Sequence, residues 1–319
     1  MAVGFILNRY LRWSHDFFRL LSGFIVKVAL PLYFFIKISS INPREIADSI
    51  LFPITALLII PLALISAWLL FRSMKLSPEE SRVGTVMSGF GNSAYFPLML
   101  IEILPATLPL TAEAFGTRIP TLYVGAYILI QIPLLWSVGN LLVSGRGARL
   151  RARGLISPPL IGIIAGVFTV VTGLQKVIIM EHLPFLAIYN AMDRLGQVTF
   201  PLILICLGAM IARIRFNEID IKHLFMISLT VAAFRFLLMP MLFWGSYFLF
   251  LKNMKLMPAQ LWVLFLETHV PPPTDLSVMA SQARNAENLV SFTILITYIL
   301  FLLLLPLYMV FFLGLPGIL

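Results

Sequence analysis

Residues 263–283 read VLFLETHVPPPTDLSVMASQA. The stretch is long and apolar enough to cross a bilayer, for which a helix needs roughly 20 residues. Yet Pro271, Pro272 and Pro273 stand at its centre. Each proline lacks the backbone donor a helix uses, and its ring clashes with the preceding turn, so no continuous helix passes through. Glu267, His269 and Asp275 flank the break, and ionisable side chains at membrane depth are costly enough to point to a function. Irregular backbone survives in a membrane only beside a cavity or packed protein. A broken helix bearing polar groups is therefore the expected wall of a transport site.

Just upstream stands Met254-Lys255-Leu256-Met257-Pro258, and 180 residues before it stands Met74-Lys75-Leu76-Ser77-Pro78. The same offset carries Pro271-Pro272-Pro273 onto Gly91-Asn92-Ser93. The first half of the chain thus has its own break, made by Gly89 and Gly91 with Asn92 and Ser93. Pro97 follows, early enough in the second half-helix to be tolerated. Two breaks at one offset imply an internal repeat.

The chain is 60% hydrophobic and 12% charged, against about 25% charged in soluble domains, which makes it an all-α polytopic membrane protein. Cys206 is the only cysteine, which excludes a disulfide within the chain and argues against a thiolate metal site. His15, His182, His223 and His269 lack metal-ligand spacing, so no cofactor and no metal is expected. The formal charge of +9 reads as basic residues on the cytoplasmic side rather than as a nucleic-acid surface. No cleavable signal stands at the start, because the first long apolar run follows Arg9, Arg12 and Arg19 and exceeds the length of a signal core. The chain has no nucleotide-binding loop and no His-Glu-x-x-His run. Paired aspartates and aspartate-rich motifs are absent too, so neither primary active transport nor an intramembrane enzyme is expected.

About nine full spans are expected, at 18–39, 49–72, 83–104, 119–144, 157–178, 186–212, 223–251, 260–283 and 288–313. Residues 1–11 are apolar but too short to cross. They read as the remnant of a shortened first helix, which completes two units of five helices. Arg146, Arg149, Arg151 and Arg153 mark loop 145–156 as cytoplasmic. Counting outward puts the basic residues near 9–19, 72–82, 213–222 and 284 on that side, and the C-terminus outside. The loop at 74 is then cytoplasmic and its counterpart at 254 external, so the repeats are inverted.

The chain resembles the auxin efflux carrier family, whose bacterial and archaeal members include malate and malonate permease-type proteins. The resemblance runs from Leu21-Ser22 through Leu30-Pro31 to Gly91-Asn92 through Pro97. It continues in Phe200-Pro201-Leu202 through Leu207-Gly208 and in Pro273-Thr274 through Ala280. It implies two inverted five-helix repeats with broken helices crossing at the midplane, a scaffold domain that forms a homodimer, and a transport domain that moves as an elevator. Residues 1–44 and 157–215 then belong to the scaffold, and 45–144 and 216–319 to the transport part. The chain departs from the family pattern in its shortened first helix. It departs again at Asp275 and Ser277, where the family commonly has a small residue and an asparagine.

At the breaks, half-helices are expected to begin near Ser93 and Thr274. Each exposes unpaired N–H groups and roughly half a positive charge, and together they form an anion-binding point without a fixed cation. The expected function is a secondary carrier for small organic carboxylates in the cell membrane. Its substrate-binding candidates are Asn92, Ser93, Pro97, Pro273, Thr274, Asp275 and Ser277. Asn92, Ser93 and Thr274 equally suit the capping of helix ends whatever the ligand. Asp275 reads either as a first-turn carboxylate set against a helix dipole or as a coupling site that binds H⁺ or Na⁺. Glu267 and His269 are relay candidates or packed polar residues, and Arg235 is the candidate countercharge to Asp275 or the substrate, or else a structural partner of a neighbouring carboxylate or carbonyl. The alternative functions are a receptor or assembly component on a carrier fold and, less well supported, an intramembrane enzyme.

Overall fold

The computed structural model describes residues 2–145, 158–176, 185–212, 221–283 and 286–318. The basic loop 145–156 therefore lies outside the described residues beyond Gly145, as does Arg284. Every regular element among the described residues is helical. The helices are α1 (Ala2–Arg9), α2 (His15–Phe24), α3 (Leu30–Ser39), α4 (Pro43–Asp48), α5 (Leu51–Ser73) and α6 (Pro78–Gly89). Next come α7 (Tyr95–Thr107), α8 (Pro109–Phe115), α9 (Arg118–Leu134), α10 (Asn140–Ser144) and α11 (Pro158–Val171). The remainder are α12 (Phe185–Gln197), α13 (Thr199–Ile211), α14 (Ile221–Ala233), α15 (Met239–Leu249), α16 (Pro258–His269), α17 (Asp275–Ala283) and α18 (Glu287–Leu313). Single π-helical segments, Ile25–Ala29, Leu135–Gly139 and Phe234–Leu238, join α2 to α3, α9 to α10 and α14 to α15.

Among the described residues, five helical stretches are long and apolar enough to cross a membrane: Asp16–Ser39, Pro43–Ser73, Arg118–Ser144, Lys222–Leu249 and Glu287–Leu313. α5 shows the logic. Phe52, Ala56, Ile60, Ala63, Ala67 and Phe71 are buried at the three- and four-residue spacing of one helix face. Leu57, Leu58, Leu62, Ile65 and Leu69 on its other faces are exposed, as suits a helix with apolar lipid around it.

The chain divides into two compact units. The first comprises Met1–Leu51 and Ile156–Arg215. Within it α3 packs on α11 and α12, and α1 packs on α13. Small residues permit the close approach. A Cβ on Gly162 would run into the backbone of Pro31, and one on Gly166 would come within 2.9 Å of the Ile38 Cβ. Tyr189 Oη donates to the Ile36 carbonyl at 3.0 Å, fixing α12 against the same helix.

Two expected spans take a different form here. Residues 186–212, expected as one helix, are α12 and α13, separated at Val198. Pro201 explains the interruption: it has no N–H to return to Gln197, and its ring crowds that carbonyl. The span expected at 157–178 stops at Val171, because Gly173 adopts φ +74°, the left-handed conformation that ends helices and that glycine adopts without strain.

The second unit comprises Phe52–Leu155 and Phe216–Leu319, and it holds both proline- and glycine-rich breaks. α6 and α16 are each 12 residues long and start on Pro78 and Pro258. The residue before each proline is capped in the same way: Glu80 Oε2 accepts from Ser77 N–H and Gln260 Oε1 from Met257 N–H, both at 2.9 Å. A side chain at the third helical position thus reaches back to an otherwise unpaired donor. Helix resumes at Tyr95 after the first break and at Asp275 after the second, again 180 residues apart. Arg118–Ser144 and Glu287–Leu313 then follow, each of 27 residues.

The close approach of α3 and α11 makes a prediction. Gly162→Ala should lower stability by about 1–3 kcal/mol through overpacking, read as a lower melting temperature in detergent. Gly23→Ala, where nothing lies within 4 Å of the added carbon, should be neutral or should gain about 0.5–1 kcal/mol from helix propensity.

Candidate functional site

The two breaks in the second unit meet through their backbones. Asn92 N–H donates to the Pro271 carbonyl at 2.7 Å. Asn92 Nδ2 donates to Tyr298 Oη at 2.8 Å, and Tyr298 Oη donates on to the Pro272 carbonyl at 3.1 Å. The other end of the Asn92 amide, Oδ1, accepts from Tyr95 N–H at 3.2 Å and caps α7. One side chain therefore both starts a half-helix and ties it to the opposite break.

Extended backbone in an apolar interior leaves its carbonyls to be satisfied one by one. Gly91 O accepts from Gln131 Nε2 at 2.5 Å. Pro273 O accepts from Leu276 N–H at 3.3 Å, and Thr274 O accepts from Ser277 through both N–H at 3.0 Å and Oγ at 2.7 Å. Val270 O takes two bonds from Arg235, from Nε at 2.9 Å and from Nη2 at 2.5 Å. Arg235 Nη1 reaches Ser88 O at 3.5 Å.

Arg235 is 1% exposed and lies in the π-helical segment Phe234–Leu238. Its guanidinium closes on the carboxyl ends of α6 and α16 together, where each helix carries roughly half a negative charge. Among the described residues it makes no ion pair with Asp275, one of the partners the sequence suggested for it, and instead bonds backbone carbonyls, the structural alternative. The same packing explains Gly91: a Cβ there would collide with Arg235 Nη2 and come within 2.9 Å of Val270 Cγ2.

The remaining sequence candidates fall into groups. Asn92, Ser93, Pro97 and Pro273 are buried, and Thr274, Asp275 and Ser277 are half-buried. Pro97 is the third residue of α7, where a missing N–H leaves no intrahelical bond unmade. Asp275 opens α17, with Tyr298 within electrostatic reach and no hydrogen bond or ion pair of its own among the described residues. Glu267, in the last turn of α16, is 3% exposed. The Ser93 hydroxyl faces its carboxyl without closing a well-formed hydrogen bond on either oxygen. Arg235 and Tyr127 lie within electrostatic reach of Glu267.

His269 is held in an aromatic box. Its ring lies on Phe265 at 4.1 Å between centroids and meets the edge of Tyr308 at 4.8 Å. Nδ1 bonds the Phe265 carbonyl at 2.7 Å, and Nε2 is buried without a partner.

Sequence reasoning passed over Gln131, Tyr127 and Tyr298. Gln131 had a usable signal, as an amide inside the apolar span 119–144. The two tyrosines had none that set them apart from the chain's other aromatic residues.

A family model described as membrane transport protein matches residues 1–154 and 149–309. The chain belongs to this family. It is the group containing the auxin efflux carriers that the motifs resemble. Membership makes the chain an integral membrane transporter and not an enzyme. No curated protein matches it.

Two predictions follow from this membrane transport protein's geometry. Replacing Arg235 by Met leaves the Val270 and Ser88 carbonyls without their donor. It should lower stability by about 1.5–3 kcal/mol, the range for hydrogen bonds to charged groups, seen as a lower melting temperature. Arg235→Lys should restore only part of the loss, because one ammonium cannot copy the planar fork.

The second concerns Glu80, at the N-terminal edge of α6. Burial pushes its carboxyl up, but bonds from the Ser77 backbone and hydroxyl and from His223 outweigh this and hold it below its ordinary 4.5. The His223 Nε2 to Glu80 Oε1 distance is 2.7 Å. Its stabilising contribution is therefore complete above the ordinary carboxylate value and is lost as pH falls through the lower folded-state value. A melting-temperature profile should fall below about pH 4.5 in wild type, and less steeply in Glu80→Gln.

Proposed function

We propose that this membrane transport protein is a secondary carrier for small organic anions, with its substrate site at the paired breaks of the second unit. The observation that carries the reading is the pair of helix starts at Tyr95 and Asp275, on segments tied together by the Asn92 to Pro271 hydrogen bond. Each start carries roughly half a positive charge from its helix, a field suited to a carboxylate. Arg235 is committed to the opposite, carboxyl ends of α6 and α16. On this reading the helix starts themselves supply the attraction for the anion, with Ser93, Thr274 and Ser277 as neutral hydrogen-bonding groups around it.

In this reading the two halves are inverted repeats whose broken helices cross near the midplane. The first unit is the scaffold through which two copies dimerise, and the second carries the substrate as an elevator. The protein sits in the cell membrane with its C-terminus outside. Asp275 stands in the first turn of α17, half-buried and without a protein partner among the described residues. It is the coupling candidate, binding H⁺ or Na⁺ so that the approaching anion does not meet a bare carboxylate.

Uptake into proteoliposomes tests the proposal. Wild type and Asp275→Asn would be offered aromatic and dicarboxylic acids under separately imposed pH, Na⁺ and voltage gradients. The expected result is anion uptake by wild type that needs a cation gradient, with that need lost in Asp275→Asn. Cation dependence that survives in the mutant would remove Asp275 from the coupling role. Absence of uptake for every acid would favour a receptor built on a carrier fold.

A further inference from the structure

We propose that Glu267 is a proton-carrying site of this carrier, protonated while the break is closed around it and deprotonated to water when the break opens. The inference rests on the carrier reading above and assigns it a second acidic group, separate from Asp275, with a definite ion. Glu267 is the last-turn carboxyl of α16, and both of its oxygens are buried without a hydrogen-bond partner.

The ionisable groups that face it from neighbouring elements are Arg235, from the π-helical segment, and Tyr127, from α9. On its own helix, His269 is committed through Nδ1 to Phe265 O. Arg235 is the natural neutralising partner, but its fork is closed on Val270 O and Ser88 O. There, two helix ends of roughly half a negative charge each already balance it. An ionised Glu267 would then stand in a dry interior with no hydrogen bond and only a largely balanced cation within reach, a state that buried carboxyls avoid. A proton on one oxygen removes the charge and turns an acceptor into a donor.

The surroundings suit a donor. Gln131 spends Nε2 on Gly91 O, and its Oε1 is buried with nothing to accept from. Gln131 lies one helical turn from Tyr127, so the two side chains leave the same face of α9, and Tyr127 is within electrostatic reach of Glu267. The Ser93 hydroxyl completes the polar rim. A metal cation needs several oxygen ligands at once, and the described residues contain no group of three acidic, histidine or cysteine side chains that would hold one. In the cycle, the proton leaves a Glu267 oxygen for water on the side to which the break opens. It is replaced from water before the break recloses, so that the carboxyl is neutral on every passage and the net coupling of the cycle stays with Asp275.

Infrared difference spectroscopy of the full-length protein in nanodiscs tests this without requiring transport. At neutral pH the wild type should show the carbonyl stretch of a protonated carboxyl. The band should be lost in Glu267→Gln, kept in Asp275→Asn and unchanged when Na⁺ replaces choline. A band that persists in Glu267→Gln overturns the proposal. So does one that disappears in Asp275→Asn, which would move the proton to Asp275, or one that Na⁺ abolishes, which would make the site a sodium site. Should Glu267→Gln fail to fold, Ser93→Ala serves instead. Removing the hydroxyl that faces the carboxyl should shift the band without abolishing it, and an unmoved band overturns the assignment. Failure of every uptake assay would sink the carrier reading while leaving this spectroscopic result intact.

Discussion

The second unit is organised around one guanidinium and the two helix ends it holds. α6 and α16 both stop inside an apolar interior, each presenting carbonyls that water cannot reach. Arg235 answers both, with two bonds to Val270 O and one to Ser88 O. The planar fork matters, because it directs several donors at fixed angles from one side chain. The π-helical segment Phe234–Leu238 changes the winding of the helix where Arg235 is presented, a deviation that is frequent at functional positions. With the carboxyl ends neutralised by the protein, the amino ends at Tyr95 and Asp275 are left with their partial positive charge. The polarity of the site follows from that asymmetry.

Around this anchor, the breaks are satisfied group by group. Asn92 uses its backbone N–H, its amide nitrogen and its amide oxygen on three different partners. The break carbonyls from Val270 to Thr274 each accept a bond. Against that background the unmatched atoms stand out, since buried polar groups ordinarily find partners. In the heart of the unit they include the Glu267 oxygens, Gln131 Oε1, Ser88 Oγ and His269 Nε2.

Much of this unit was legible in the sequence, because its signals are local. Prolines and glycines stop helices wherever they fall, and the 180-residue offset found in the letters returns in the matched starts Pro78 and Pro258, Tyr95 and Asp275. The back-reaching caps at Glu80 and Gln260 fall at the same offset. Where reading failed, the deciding contact was tertiary or the signal was small. Pro201 interrupts residues 186–212, although the hydropathy there runs on unbroken. Arg235 was visible as a deep cation, but the sequence gives no means of telling whether its target is Asp275 or a backbone carbonyl. Tyr298 was hidden among many aromatic residues, because only its hydroxyl contacts set it apart.

The three prolines also have a consequence beyond stopping a helix. Two extended segments side by side, cut off from water, are the setting in which strands pair and keep pairing. Pro271, Pro272 and Pro273 have no N–H to offer, so their segment accepts bonds but returns none. The joint between the breaks therefore consists of a single direct backbone bond, a tyrosine bridge and the Arg235 clasp, and it has no means of growing into a ladder. Such a joint behaves as a pin, holding two half-helices at one point while leaving their far ends free to change angle.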